Sequence, residues 1–134
     1  MDLLINIDVD DLAKAIAFYE QAADLRVSRR FGALGVEMIG ASSAVYLLLK
    51  PGGTKASATT DDVRRYSRHW TPVHLDFVVA DIETAIARAR NAGAVPEGDI
   101  ATHDWGRIAQ MADPFGHGIC FIEFLGRGYD EIAD

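Results

Sequence analysis

Val73 to Ala87 reads VHLDFVVADIETAIA, and the chain has stated the same pattern once before: Leu3 to Ala17 reads LLINIDVDDLAKAIA. Val9, Asp11, Leu12, Ala15, Ile16 and Ala17 correspond to Val79, Asp81, Ile82, Ala85, Ile86 and Ala87 at a constant offset of 70 positions (79 minus 9). Two copies of one strand-then-helix unit predict a fold with a pseudo-twofold repeat. Within each copy the period changes partway. Leu3, Ile5, Ile7 and Val9 are apolar around Asn6 and Asp8; Val73, Leu75, Phe77 and Val79 are apolar around His74 and Asp76. Strict alternation predicts a strand with one apolar face and one partly polar face.

Leu12, Ala15, Ile16, Tyr19 and Ala22, and in the second copy Ile82, Ala85, Ile86, Ala89 and Ala92, then recur three or four apart. That spacing lays one apolar stripe along a helix. Asp11 and Asp81 stand at the N-cap positions, where a short carboxylate accepts hydrogen bonds from the free amides of the first turn. With the apolar strand face under the helix, Asn6, His74 and Asp76 look the other way. They are therefore the first candidates for a functional face.

Working outward, Arg26 to Phe31, Gly35 to Ile39 and Ser43 to Lys50 read as strands, with a turn at Gly40 to Ser42. Pro51 to Thr60 is a Gly, Ser and Thr cluster of linker character. Asp61 to Trp70, DDVRRYSRHW, offers Arg64, Arg65, Arg68 and His69 either as an anion clamp or as a solvated surface run; the second reading is preferred. The second half repeats strand, helix and strands. Gly93 is placed to end its helix, whereas the corresponding Ala23 is not, so the first helix must end differently. Trp105 to Met111 and Gly118 to Phe124 pair across Asp113-Pro114-Phe115-Gly116, a type I turn composition. Here Glu37 answers to Gln110 and Leu47 to Cys120 at an offset of 73, which implies about three extra residues after the second helix. The expected organisation is one domain over 1–134, with module one at 1–50, a linker at 51–71, module two at 72–125 and a polar tail at 126–134.

A length of 134 residues with 49% hydrophobic content suffices for a real core. The net charge of −7 argues against a nucleic-acid partner, and is compatible with a cationic small molecule without implying one. A single cysteine excludes an internal disulfide. MDLLINID has neither the basic n-region nor the apolar core of a signal peptide, and the longest apolar run, Ala44 to Leu49, is too short for a bilayer. A cytoplasmic location without membrane association is expected.

Two βαβββ halves, the V-x-D-L/I helix entries and WGRIAQMADPFGHGICFIEF together resemble the vicinal oxygen chelate superfamily, which includes glyoxalase I, extradiol dioxygenases and bleomycin-resistance proteins. The resemblance covers nearly the whole chain. It implies an α+β fold in which two βαβββ modules form a cup-shaped eight-stranded mixed sheet with the helices outside. It also implies a homodimer, by packing of cups or exchange of halves. The family's metal enzymes take ligands from the first and last strand of each half, and these stations fall on Leu4, Leu47, His74 and Cys120. Two leucines offer no lone pair, so no cofactor is expected; the alternative is a divalent metal near His74, completed by Asp76 or Asn6.

The leading expectation is thus a metal-free protein that holds a small organic molecule in the sheet cup, with His74, Asp76, Asn6, Cys120, Trp105 and Tyr46 as ligand-binding residues. Phe115 is a further candidate pocket aromatic. The alternative is a metal-dependent glyoxalase-like lyase or dioxygenase. Two further readings are a thiol enzyme built on Cys120 and His74, against which a buried, inert cysteine is preferred, and a sheet that serves only for assembly. His117, after the turn, is expected near the surface.

Overall fold

The computed structural model describes residues 1–134. The chain divides into two compact units, Met1–Ser67 and Arg68–Asp134. In the first, β1 (Ile5–Val9) leads into α1 (Leu12–Ala23), followed by β2 (Arg26–Arg30), β3 (Gly35–Ile39) and β4 (Val45–Leu49). The sheet order is β1-β4-β3-β2, with β1 parallel to β4 and the other pairs antiparallel. In the second unit β5 (Leu75–Val78) leads into α2 (Ile82–Ala92), then β6 (Val95–Pro96), β7 (Ala101–His103), β8 (Gly106–Ala112) and β9 (Gly118–Phe124). Its order is β5-β9-β8-β6, with β7 also on β8 and β5 parallel to β9. Both units therefore have the same topology. There are nine strands rather than eight, because the extra residues after α2 break the counterpart of β2 into β6 and β7.

Each helix starts where its aspartate places it. Asp11 accepts from the Lys14 amide at 2.9 Å and Asp81 from the Thr84 amide at 2.7 Å. The ends differ as the repeat required. Gly93 closes α2 in the left-handed region at φ 113°, while α1 runs through Ala23, the counterpart of Gly93, and is capped by Asp24, which takes φ 55° without being glycine. The amide of Asp24 donates to the Tyr19 carbonyl.

The cores follow the period-two faces. Under α1, whose buried residues are Ala15, Phe18, Tyr19 and Ala22, lie Ile7, Val9, Val36, Met38, Val45 and Leu47. Under α2 lie Ala109, Met111, Ile119 and Phe121, with Leu75 and Phe77 at the margin. Fully burying each Val, Leu, Ile, Met or Phe among them contributes about 1.5–3 kcal/mol. Glu123, at the far end of β9, accepts from the Ile82 amide at 2.8 Å and so fastens α2 to its sheet.

The turn composition is realised in full. Asp113 is 3% exposed; its carboxylate accepts from the amides of Phe115 at 2.8 Å and His117 at 2.9 Å, and its carbonyl accepts from Gly116 at 3.1 Å. Phe115 is 1% exposed and belongs to the core, not to a pocket, because the turn points it inward. The segment before β5 is largely exposed, as the solvated-surface reading expects, but two of its arginines are engaged. Arg64 donates to Asp8 at 2.6 Å and to the Ala56 carbonyl at 3.2 Å, and Arg68 pairs with Glu97. These arginines are internal fasteners of their own units, neither an anion clamp nor a free charge run.

Candidate functional site

Register decides which residues share the sheet face away from each helix. In the second unit Asp76 pairs with Cys120 and Cys120 with Gln110, so these three side chains form one row across β5, β9 and β8. His74 stands just before β5 on the same face. Its Nε2 lies 3.2 Å from Asp76 Oδ1. In the first unit the matching row is Asn6, Tyr46 and Glu37.

This register corrects the equivalence of Leu47 with Cys120. The residue that occupies the station of Cys120 is Tyr46, at an offset of 74 (120 minus 46), whereas Glu37 and Gln110 keep 73. The cause is a hairpin of different length. Six residues separate the paired Met38 and Val45, and seven separate the paired Met111 and Ile119. One residue of slip turns every following side chain to the other face. Leu47 is accordingly fully buried beneath α1 and belongs to the core, while Leu4 is exposed just ahead of β1.

The two rows differ chemically. Glu37 is 7% exposed, accepts from Arg29 Nε at 2.9 Å and from the Tyr46 hydroxyl at 2.7 Å, and is held at a pKa of about 2 by those bonds. The hydrogen bond to Glu37 in turn raises the Tyr46 phenol, with burial adding to the effect. Phe31 stacks on Tyr46 at 6.0 Å. Asn6 remains exposed beside this closed set. In the second row Cys120 is 1% exposed, and burial, with the neighbouring Asp76 carboxylate, pushes its thiol up to about 12. A thiol so held stays protonated near neutrality. Its hydrogen-bond partner is Asp76 rather than His74, and the nucleophile-base pair of a thiol enzyme is not assembled.

The ligand atoms of His74, Asp76 and Cys120 lie within 4.8 Å of one another. Three donors of mixed N, O and S character are the minimum for a zinc centre and unsuited to the hard octahedral ion expected of the family's metal enzymes. Zinc would also have to displace a proton that the site holds to about 12. In the first unit Leu4 and Leu47 have no donor atom, and the Tyr46 hydroxyl is already bonded to Glu37.

Trp70 is the residue the sequence reading missed. It stands over Gly118, where an added Cβ would lie 2.4 Å from the indole. Its ring meets His74 edge-on at 5.7 Å, and its Nε1 donates to Glu97 at 3.1 Å. Arg68 lies over the same ring at 4.5 Å while bonding Glu97. A glycine inside a strand signals close approach of another group, and Gly118 carried that signal. His117, expected near the surface, is half-buried, and the strap that brings Trp70 across also sets His69 Nε2 3.1 Å from His117 Nδ1.

Beyond Gln110 the face opens into a cavity of about 350 Å³ lined by Glu97, Asp99, Ala101, His103, Trp105, Ile108 and Gln110. Trp105, anticipated as a pocket residue, stacks on His103 at 5.2 Å with the rings 8° apart. Its other contacts are Tyr129 at 5.1 Å and Phe124 at 6.4 Å.

Paired βαβββ units, each with a polar row on the face opposite its helix, define the class of this protein. Residues 4–122 match the model of the glyoxalase-like domain, and the chain belongs to that family, within the vicinal oxygen chelate superfamily. It is 30% identical over 112 residues to an uncharacterised protein of Mycobacterium bovis, covering 81% of this chain and 74% of that one. Among solved structures, a glyoxalase/bleomycin resistance protein/dioxygenase family enzyme from Burkholderia phytofirmans is similar with a TM-score of 0.69 at 18% identity, over 93% of this chain and 100% of that one. An antibiotic-binding protein from a Streptomyces is similar with a TM-score of 0.63 at 21% identity, over 93% and 96%. No helix is long and apolar enough to cross a membrane.

Proposed function

We propose that this chain binds a small organic molecule on the open face of its C-terminal unit and does so without a catalytic metal. The observation that carries the reading is the cavity beside Gln110: about 350 Å³, lined by Trp105, Ile108 and Ala101 together with the polar side chains of Glu97, Asp99, His103 and Gln110. An aromatic and aliphatic surface beside polar groups able to fix orientation is what small-molecule sites have in common. Similarity to an antibiotic-binding fold supports it. His74, Asp76 and the row to Gln110 extend the same face and supply further hydrogen-bonding groups.

The second reading is a zinc-dependent lyase or dioxygenase centred on His74, Asp76 and Cys120, favoured by their mutual proximity. Metal analysis of protein purified without chelator decides between the two. Far less than one metal per chain is expected, and stoichiometric zinc overturns the metal-free reading. Binding itself is tested by thermal-shift screening of aromatic compounds. Stabilising compounds should lose their effect in Trp105→Ala. Compounds that stabilise this variant as well as the wild type place binding elsewhere and overturn the assignment to this cavity.

A further inference from the structure

We infer that the ligand of this cavity is a planar cation. The inference rests on the small-molecule reading above and adds the chemical class. Two of the lining residues are carboxylates, Glu97 and Asp99, and they are not equivalent. Glu97 already answers to Arg68, through two hydrogen bonds, and to the indole N–H of Trp70. Its charge is matched. Asp99 is exposed and has neither a hydrogen bond nor an ion pair, so the rim of the cavity keeps one uncompensated negative charge.

The aromatic wall supplies the second half of the argument. The His103 and Trp105 rings are stacked almost parallel, and Trp105 is fixed from its other sides by Tyr129 and Phe124. An immobilised slab of this kind binds flat rings with little loss of side-chain freedom. Ile108 adds apolar surface, and the Gln110 amide adds a polar group able to accept from an N–H. A flat ring bearing positive charge satisfies the slab and Asp99 together. An anion meets the unpaired carboxylate with repulsion, and a neutral ring leaves it without a partner. The overall charge of −7 favours the approach of a cation in the same sense.

The test is calorimetric titration at about pH 8 with three probes of one shape: 9-aminoacridine as cation, acridine as neutral ring and acridine-9-carboxylate as anion. The cation is expected to bind about tenfold more tightly than the neutral ring, with an advantage that shrinks as salt is added. Asp99→Asn, at an exposed position, should remove that advantage and leave acridine affinity unchanged. Equal binding of cation and neutral ring, or a preference that survives in Asp99→Asn, overturns the cation inference while the small-molecule reading stands. Failure of all three probes to bind the wild type overturns both.

Discussion

The open faces of the two units are the same row of stations filled in opposite ways. Asn6, Tyr46 and Glu37 in the first unit correspond to Asp76, Cys120 and Gln110 in the second, strand for strand. In the first row the acid has recruited its own cation and phenol, and Arg29, Glu37 and Tyr46 satisfy one another. In the second the corresponding position is a neutral amide, and the neighbouring edge, broken into β6 and β7, opens a cavity. The comparison shows that a duplicated backbone does not duplicate the chemistry of its open face. One row became an internal brace, and the other pairs Asp76 with His74 and borders a cavity at Gln110.

Three measurements break or sharpen that comparison. The largest effect is expected at the pair that sequence offset alone equates. Leu47→Ala should cost about 2–5 kcal/mol, because it empties the core beneath α1, whereas Cys120→Ala, which trims one sulfur, should cost about 1 kcal/mol. Denaturant unfolding of both variants checks this. Equal and small losses would return Leu47 to the open face and undo the offset of 74.

A smaller and pH-dependent effect is expected at Glu37. Its carboxyl is lowered from 4.5 to about 2 in the folded protein. The stability it contributes is therefore fully present above about 4.5 and lost as pH falls toward 2. Glu37→Gln should be less stable than the wild type at pH 6, and the difference should narrow through that acid window. Parallel stability curves for the two proteins would show that the brace contributes nothing.

The smallest effect distinguishes the helix ends. Asp24 holds a left-handed conformation that glycine adopts without strain, so Asp24→Gly should raise stability by up to about 1 kcal/mol. Gly93→Ala should lower it by about the same amount. Thermal unfolding of the two variants should therefore move Tm in opposite directions. Shifts of the same sign would mean that the two caps are not counterparts.

Much of this architecture was legible in the chain before any coordinates. The repeated strand-helix units, both aspartate caps, the glycine that ends α2 and the Asp113 to Gly116 turn are local, and local spacing fixes them through backbone hydrogen bonding and one-sided burial. Alternation likewise turned Asn6, His74 and Asp76 away from the helices. What pattern could not supply was the pairing of elements distant in sequence. One extra hairpin residue set Tyr46 rather than Leu47 in the row. The strap through Arg68, His69 and Trp70 folded back onto Gly118, and Glu97 met a guanidinium 29 positions away. Those contacts depend on loop length and on which charges find partners in space, and neither is encoded in any window short enough to read by period.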